Sequence, residues 1–375
     1  MKPSNARDRH NGFGLIEIMV GLVIGLVAML IIGQVTAVFE AQKRTSTGGG
    51  DAQSNGATAL MALEREIRMA GYGLVAAGSQ LCPMGINIYY NGNVVSDPGA
   101  NPIGGGILAP VRIVDGGSGG NGPDSIIMVR SDSALGALPT SVQKQMPTPS
   151  SVVTVNNGAG LGEGDLFIVA ASNGSKICTL MQMSKADPQE TGNGVNLLHA
   201  SGQYPYNPPN LENAFTDAPQ YTINDVVINM GSFMYRRYMV QCNQLAVVDP
   251  SRVASPYTCT NSEPMVDEIV NLQARYGVAP VGSQTVDQWV EPTGEWAATA
   301  MTSAHINRIK AVRVAVVARS RQMEKTDVSC TESSATLDLW SGGPQMTLSG
   351  DQCKYRYKIF QTIVPMKNVI WGNLS

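Results

Sequence analysis

The chain has 375 residues, of which 43% are hydrophobic and 15% are charged, and its formal net charge is −3. This length and apolar content are sufficient for a sizeable hydrophobic core. Because the charge balance is slightly acidic and no cluster of lysine and arginine stands out, nothing in the composition favours a nucleic acid as a partner.

The N-terminal segment predicts a membrane-spanning helix. Residues 1–12 are polar and carry three basic side chains against one acidic one, and residues 18–39 form an uncharged run of 22 residues. As a helix, that run would extend about 33 Å, which matches the roughly 30 Å hydrocarbon core of a bilayer. The basic flank favours a cytoplasmic N-terminus, so the larger C-terminal part is expected on the other side of the membrane.

The carboxylate of Glu17 is the unusual feature of this segment. A charged group at the start of a membrane span is costly unless it has a partner, so Glu17 is a candidate functional residue. A secretory signal peptide, with residues 35–37 as a weak cleavage site, has a shorter apolar region than this one. A plain signal anchor accounts for the length of the run but not for Glu17, and a solvated Glu17 at headgroup depth would have no function.

Residues 12–17, with the sequence Gly-Phe-Gly-Leu-Ile-Glu, resemble the processing site of type IV prepilins and of type II secretion pseudopilins. That family has Gly before the cleaved bond, Phe after it and Glu as the fifth mature residue; Gly14 stands where Thr or Ser is usual. The resemblance implies that a prepilin peptidase cleaves between Gly12 and Phe13 and that the new amino group of Phe13 is N-methylated. It also implies that Glu17 pairs with the Phe13 amine of a neighbouring subunit, because two buried charges are tolerated only when they are paired.

Gly21 and Gly25 form a small-xxx-small pair on one face of the predicted helix. Such a pair lets a second helix approach closely, so both glycines are candidate helix-packing residues. Glycine is frequent in membrane helices in general, and the pair alone would not indicate bundling.

The first helix is predicted from residue 13 to about residue 45. Three glycines in a row at residues 48–50 are expected to interrupt it, because each helical glycine costs roughly 1 kcal/mol relative to alanine. Helix then resumes near residue 52 or 55 and presents an apolar stripe that is expected to pack on the rest of the protein, with Gly71 as the stop. The stripe consists of Leu60, Leu63, Ile67, Ala70 and Leu74.

Residues 55–72 narrow the resemblance to one family. The segment begins with Asn55-Gly56 and ends with Arg-Met-Ala-Gly-Tyr at residues 68–72, and it is similar to a stretch of the PilW-type minor pilins. Glu66 stands where Asp is more usual, and Ala57 stands where Arg is frequent. The helix-then-strand order of the last 110 or so residues also resembles the C-terminal half of that family.

The rest of the chain predicts strands and long loops. Strands are predicted at residues 125–130, 151–155, 165–170, 176–183, 232–240, 244–248, 308–319 and 355–364. Residues 264–276 predict a helix, because Met265, Ile269, Leu272 and Tyr276 share one helical face. The Gly- and Asn-rich residues 80–125 and the Pro-, Asn- and Gly-rich residues 186–220 predict loops, and the Tyr and Asn side chains of the second are expected to be exposed.

Six cysteines in an exported domain favour disulfides, although six allow fifteen pairings and free thiols remain the alternative. Nearest neighbours late in the chain favour Cys242–Cys259 and Cys330–Cys353. Elimination then leaves Cys82–Cys178.

No motif for catalysis, metal binding or cofactor binding stands out. The three histidines are His10, His199 and His305, and none lies near a Cys at the spacing of a zinc site. No nucleophile elbow, P-loop or paired dinucleotide fingerprint is present. Nothing points to a pair of glycosidase carboxylates. An enzyme, a metal ion and a cofactor are therefore not expected.

The predicted fold is α+β and pilin-like, with a long N-terminal transmembrane helix packed on an antiparallel β-sheet head domain that has long loops. The expected divisions are a cleaved leader at residues 1–12, a transmembrane assembly helix at 13–47, a hinge and head-packing half of the helix at 48–74, and a periplasmic or extracellular head at 75–375.

The resemblance to PilW implies a minor type IV pilin that packs through its N-terminal helix into the pilus initiation or tip complex and promotes assembly. Its partners would be the prepilin peptidase, other minor pilins, the major pilin and, before assembly, the inner membrane. The protein would be a single-pass inner-membrane protein with a periplasmic head, and later part of the pilus fibre at the cell surface. The alternatives are a GspJ-like minor pseudopilin of type II secretion, a pilus-tip adhesin and an anchored periplasmic enzyme.

Overall fold

The computed structural model describes residues 14–76, 79–94, 108–133, 138–158, 160–185, 189–190, 194–215 and 220–372. These residues contain four α-helices, which are α1 (Leu15–Met69), α2 (Leu211–Ala214), α3 (Ser303–Arg308) and α4 (Lys367–Gly372). A long apolar helix is thus followed by a head that is rich in antiparallel sheet, which confirms the predicted α+β, pilin-like fold.

The first part of α1 exposes apolar side chains on all sides. Residues 14–40 are exposed throughout, and Leu15 and Phe39 near the two ends of this stretch are 75% and 66% exposed. A helix that is apolar all round is suited to a bilayer rather than to water. Among the described residues, α1 is the helix that is long and apolar enough to cross a membrane, judged by length and composition.

The predicted interruption of the helix at residues 48–50 is wrong. Helix α1 continues from Leu15 to Met69 through all three glycines. Helix propensity is a weak preference that tertiary packing overrides, and Gly48 lies against the head, where an added Cβ would come within 3.1 Å of the Cβ of Ser320. Gly48 thus permits a close approach between helix and head. That residues 48–50 act as a hinge stays a prediction.

The second half of α1 packs on the head through the predicted stripe. Leu63, Ile67 and Ala70 are fully buried, and Leu60 is half-buried. Leu74 is buried beyond the end of the helix, in a different cluster. The buried face also extends towards the N-terminus through small residues that the sequence analysis did not include, which are Gly48, Ala52, Gly56 and Ala59.

The described head contains 23 strands, many of them short. In chain order they are β1 (Val75–Ala76), β2 (Ser79–Gln80), β3 (Ile86–Asn87), β4 (Tyr89–Tyr90), β5 (Asn93–Val94), β6 (Val111–Val114), β7 (Ser125–Arg130), β8 (Pro139–Ser141), β9 (Val153–Val155), β10 (Leu166–Ala170), β11 (Cys178–Gln182), β12 (Gln189–Glu190), β13 (Val195–Leu197), β14 (Val226–Gly231), β15 (Met234–Gln241), β16 (Gln244–Val248), β17 (Glu263–Asp267), β18 (Ile269–Val278), β19 (Gln288–Val290), β20 (Ile309–Arg319), β21 (Ser334–Asp338), β22 (Gln345–Ser349) and β23 (Tyr357–Pro365). The eight strands predicted from the sequence are confirmed as β7, β9, β10, β11, β15, β16, β20 and β23, with ends that differ by at most two residues.

The strands form three larger sheets. One five-stranded sheet has the order β17-β16-β15-β7-β6, a second has the order β3-β11-β10-β14-β8, and a four-stranded sheet has the order β19-β18-β20-β23. Their pairing is antiparallel, except that β3 runs parallel to β11. Smaller sheets are formed by β12-β13-β9 and by the pairs β1-β2, β4-β5 and β21-β22.

Helix α1 shares one hydrophobic core with two of these sheets, the sheet that contains β7 and the sheet that contains β20. A second core lies between the two five-stranded sheets, and a third lies on the far side of the sheet that contains β10. Successive side chains of β10 point to opposite faces of the sheet, as is usual in a strand. Its residues Leu166, Ile168 and Ala170 belong to the second core, whereas Phe167 and Val169 belong to the third.

The hairpin of β21 and β22 covers the face of the four-stranded sheet that lies opposite α1. Ala315 and Val317 of β20 pack there with Leu339 and Trp340, and Tyr357 and Ile359 of β23 lie against the same cluster. The intervening residues of β20, such as Val316, belong to the core with α1. The four-stranded sheet is therefore covered on both faces.

The helix predicted at residues 264–276 is wrong, because this segment forms β17 and β18. The two strands meet at Glu268, whose backbone has a φ of +56°. Ile269 enters the core at the start of β18, and from Leu272 onwards alternate residues enter it, which are Leu272, Ala274, Tyr276 and Val278. Residues on the opposite face, such as Asn271, are also buried. Because β18 is buried on both faces, its sequence does not alternate between apolar core residues and polar surface residues, so the strand could not be recognised from that pattern.

The expected exposure of Tyr and Asn in residues 186–220 is wrong for the aromatic turn near residue 206. Tyr206 and Asn207 are buried. The ring of Tyr206 lies 5.0 Å from that of Tyr90, and the side chain of Asn207 exchanges two hydrogen bonds with the backbone of Gln182. These side chains stabilise the head from within. The two predicted loop regions also contain short elements that the sequence did not indicate, which are β3 to β6 in residues 80–125 and β12, β13 and α2 in residues 186–220.

Candidate functional site at the two ends of the long helix

Glu17 lies in the first turn of α1. Gly14 precedes the helix, and the Oε2 atom of Glu17 accepts a hydrogen bond of 3.0 Å from the backbone N–H of Gly14. The free N–H groups and the dipole at a helix N-terminus attract negative charge, so this is a favourable position for a carboxylate. The carboxylate is thus directed at the backbone of Gly14. Gly12 and Phe13, which precede Gly14 in the chain, lie outside the described residues.

The surroundings of Glu17 are apolar and open. Leu15, Ile16 and Ile18 are 75%, 76% and 56% exposed, and no ion pair to Glu17 is present among the described residues. A carboxylate on the surface of an apolar helix is costly in a membrane unless a positive charge pairs with it. The arrangement leaves Glu17 able to accept such a charge from outside the described chain.

Gly21 and Gly25 lie one helical turn apart on the exposed part of α1. A Cβ added at either position would meet nothing within 4 Å. The backbone of α1 is therefore accessible at both positions. Close packing of a second helix here stays a prediction.

The C-terminal end of α1 is capped by a residue from the far end of the chain. The side-chain amide of Asn368 in α4 donates to the backbone carbonyl oxygens of Arg68, Met69 and Ala70, at 3.4, 3.2 and 3.1 Å. The last four carbonyls of a helix have no partner within the helix, so this amide satisfies groups that would otherwise be unpaired. Asn368 could not be identified from the sequence, because no local pattern links two segments about 300 residues apart.

The Ala-Gly-Tyr residues after α1 connect the helix to β7. Gly71 has a φ of +81°, a conformation that favours glycine, and α1 ends at Met69 as the predicted stop requires. The N–H of Gly71 donates to the carbonyl oxygen of Val129 at 2.8 Å, and the carbonyl oxygen of Tyr72 accepts from the N–H of Ser131 at 2.8 Å. Helix and sheet are therefore joined by backbone hydrogen bonds directly at this junction.

An ion pair lies beside the same junction. The Oε2 atom of Glu66 in α1 is 3.5 Å from the Nε atom of Arg130 in β7, and their side chains are only 15% and 16% exposed. The pKa of the Tyr238 phenol is raised, mainly by burial and secondly by the charge of Glu66, so this hydroxyl stays protonated. Glu66, which departs from the usual Asp of the resembling family, thus connects the last turn of α1 to the sheet.

The structure joins the six cysteines in the three pairs that the sequence analysis favoured. The Cα–Cα distances are 5.4 Å for Cys82–Cys178, 6.1 Å for Cys242–Cys259 and 5.2 Å for Cys330–Cys353. These distances lie in the usual range for disulfides. Cys82 and Cys178 are 1% exposed within the second core, whereas Cys242 and Cys259 are exposed at the surface.

The two described histidines have structural contacts. The Nε2 atom of His199 is 3.1 Å from the carbonyl oxygen of Ser151, and burial lowers the pKa of its imidazole. The Nδ1 atom of His305 accepts a hydrogen bond of 3.1 Å from the N–H of Thr302 at the start of α3. Within the described ranges, no group of three or more His, Cys, Asp or Glu side chains is placed to hold a metal ion.

Two family models match the chain. Residues 220–368 match the family described as Type IV Pilus-assembly protein W, and residues 7–33 match the prokaryotic N-terminal methylation motif. The first match covers β14 to the beginning of α4, and the second covers the processing junction, Glu17 and much of the apolar run. No curated protein and no solved structure matches the chain.

Proposed function

We propose an assembly role for this chain, which is a PilW-type minor pilin of the type IV class. The apolar part of α1 anchors the protein in the membrane, and the head follows on one side of it. In the proposed role, the N-terminal helix packs among the helices of other pilins in the initiation or tip complex and so promotes growth of the pilus.

The observation that carries this proposal is the position of Glu17. It is a carboxylate in the first turn of an otherwise apolar helix, with its oxygen already directed at the N-terminal backbone. After cleavage between Gly12 and Phe13 by a prepilin peptidase, the Phe13 amine would be the nearest positive charge that the chain can offer, in its own or a neighbouring subunit. Pairing with a neighbour would fix the register between packed helices, as a buried polar side chain does in some coiled coils.

The location follows from the same proposal. The chain would first be a single-pass protein of the inner membrane with its head in the periplasm, and it would then enter the pilus fibre at the cell surface. Its partners would be the peptidase, other minor pilins and the major pilin. Gly21 and Gly25 would let a neighbouring helix approach the backbone of α1.

Replacing Glu17 tests the assembly role. In the Glu17→Ala variant, processing should be unchanged but surface pili should fall at least about tenfold, because removing one partner of a buried pair costs roughly 3–5 kcal/mol. Glu40→Ala is the matched control, since Glu40 is an exposed carboxylate just beyond the apolar run of the same helix. Mass spectrometry of the mature chain should give a methylated N-terminus at Phe13. Normal piliation with Glu17→Ala would contradict the proposal.

Deleting the chain separates the alternative functions. Loss of pili supports a role in assembly, whereas normal pili with lost attachment support a pilus-tip adhesin. A secretion defect with normal pili supports a GspJ-like pseudopilin. The residues matched to the PilW family and the Arg-Met-Ala-Gly-Tyr stretch at residues 68–72 favour the first outcome over the third.

A further inference from the structure

A cleft of about 420 Å³ opens at the end of α1 that lies farthest from the apolar run. Its walls come from the end of α1, the end of β7 with the loop that follows, and the start of α4. They are formed by Arg68, Met69, Tyr72, Arg130, Ser131, Asp132, Ser133, Lys367 and Asn368. We call it the distal cleft. The Asn368 cap and the Gly71 and Tyr72 backbone hydrogen bonds hold its walls in place.

Arg130 and Lys367 give the distal cleft positive charge, although Arg130 also forms the ion pair with Glu66. The Nε side of Arg130 faces Glu66, and no hydrogen bond involves its two terminal nitrogens among the residues that the structure describes. Lys367 is exposed and has no ion pair within the same residues. The lining also contains one carboxylate, that of Asp132, which accepts hydrogen bonds from the N–H and the hydroxyl of Ser232. Three basic residues of the lining, Arg68, Arg130 and Lys367, stand against it.

The apolar part of the cleft suits a peptide rather than a free ion. Met69 is half-buried, and the ring of Tyr72 is 37% exposed. A guanidinium with free terminal N–H groups matches the two oxygens of a carboxylate. A peptide segment with a carboxylate side chain next to an apolar one would therefore have a basic partner for the first and an apolar surface for the second in this cleft.

The position of the distal cleft favours a protein over a lipid as its occupant. Thirty helical residues separate Phe39, at the end of the apolar run, from Met69, and they extend about 45 Å. That distance is several times the depth of a headgroup layer. Helices that pack in parallel with an axial offset would instead bring the head of another subunit to this end.

We propose that the distal cleft binds a carboxylate-bearing segment of a different pilin-type subunit. Arg130 and Lys367 pair with the carboxylate, and Met69 and Tyr72 contact the residue beside it. This proposal rests on the proposed assembly role, since it requires neighbouring subunits.

Photo-crosslinking in cells tests the distal cleft. The probe is p-benzoylphenylalanine in place of Tyr72 in the full-length chain, expressed in cells that assemble pili. We expect an adduct with a different pilin-type subunit, mapped by mass spectrometry to a segment that contains Asp or Glu. Lys367→Glu should lower the adduct yield about fivefold, equivalent to about 1 kcal/mol. Lys358→Glu, at an exposed lysine of β23 outside the cleft, should leave it unchanged.

Several results would contradict the proposal that the distal cleft binds a carboxylate-bearing segment of another subunit. These are no adduct, an adduct with lipid or with a second copy of this chain, an adduct at a segment without a carboxylate, or a yield that Lys367→Glu and Lys358→Glu change equally. Mapping of the three disulfides in each variant verifies that the head is folded. The Glu17→Ala experiment is independent of the cleft. If Glu17→Ala abolished piliation but residue 72 gave no adduct, the binding proposal for the distal cleft would be wrong and the proposed assembly role would still stand.

Discussion

The backbone of Gly56 in α1 lies directly against the aromatic ring of Phe360 in β23, so that a Cβ added at Gly56 would overlap the ring. The same Cβ would come within 3.1 Å of the Cβ of Ala318 in β20. Gly56 is therefore the point at which α1 approaches the four-stranded sheet most tightly among the described glycines of this helix. The distance between helix and head depends on it.

Gly56→Ala should destabilise the protein, although alanine is the better helix former. The gain in helix propensity is roughly 1 kcal/mol, whereas forcing a methyl group into a filled contact costs about 1–3 kcal/mol. We expect a net loss of about 1 kcal/mol, seen as a melting temperature lower by about 2–4 °C for a head of this size. The measurement is thermal unfolding of the full-length chain in detergent, followed by circular dichroism.

Gly50→Ala is the matched control for this substitution. Gly50 lies in the same helix, and a Cβ there would meet nothing within 4 Å. The substitution should therefore stabilise α1, by up to about 1 kcal/mol. If Gly50→Ala and Gly56→Ala changed the melting temperature in the same direction, the close contact with Phe360 would not determine the effect.

Asn368→Asp should loosen the end of α1 more than Asn368→Ala does. Alanine removes the amide donor and leaves the last carbonyls to water, which costs about 1 kcal/mol. Aspartate has the same size but presents an acceptor and a negative charge to those carbonyls, which the helix dipole disfavours. Hydrogen exchange of residues 66–70 reports the difference. Faster exchange in the alanine variant than in the aspartate variant would contradict the capping role.

The three disulfides should open in the order of their exposure. Exchange requires that a thiolate reach a sulfur atom, and Cys242 and Cys259 are exposed whereas Cys82 and Cys178 are 1% exposed. Titration of the native chain with dithiothreitol, followed by differential alkylation and mass spectrometry, should show Cys242–Cys259 opening first and Cys82–Cys178 last. Opening of the buried pair at an equal or lower concentration of reductant would refute this order.

The sequence predicted the parts of this fold that depend on local pattern. Strand β16 is predicted at its observed bounds, because its apolar residues and its flanking turn are adjacent in the chain. The end of α1 near Gly71 is predicted for the same reason, since a glycine with positive φ is a local requirement. The processing junction and Glu17 form a short motif, which one family match includes.

The sequence could not predict features that depend on distant contacts. Strand β18 resembled a helix because Asn271 and Gln273 on its second face are buried, where their amides donate to the carbonyl oxygens of Gly120 and Gly122. The helix was expected to break at residues 48–50, because the packing that offsets the cost of glycine involves Ser320. The cap from Asn368 and the distal cleft combine residues from three separate segments, and no local pattern connects them.

The buried carboxyl group of Asp124 should make the head less stable as the pH rises towards neutrality. Asp124 is 2% exposed, and its two oxygens accept hydrogen bonds from the N–H groups of Gly116 and Ala274, at 2.9 and 2.8 Å. Burial raises the pKa of Asp124 to about 7, and the nearby charges of Asp115 and Glu291 add to the increase.

The sign of the effect follows from the two protonation states. The ordinary pKa of Asp is 3.8, so between that pH and about 7 the folded chain holds a proton that the unfolded chain has lost. The stability contributed by protonated Asp124 is complete below the ordinary pKa and is lost as the pH rises through about 7. Urea unfolding at pH values from about 5 to about 8 should therefore show a decreasing free energy of unfolding.

Asp124→Asn should remove this part of the pH dependence. The variant is compared by its slope and not by its absolute stability, because the asparagine amide replaces one acceptor with a donor that faces a backbone N–H. Asp327→Asn is the control, since Asp327 is exposed and is not among the groups that raise the pKa of Asp124, and it should leave the slope almost unchanged. If the wild-type chain and Asp124→Asn lost stability in parallel over this range, a group other than Asp124 would control the pH response.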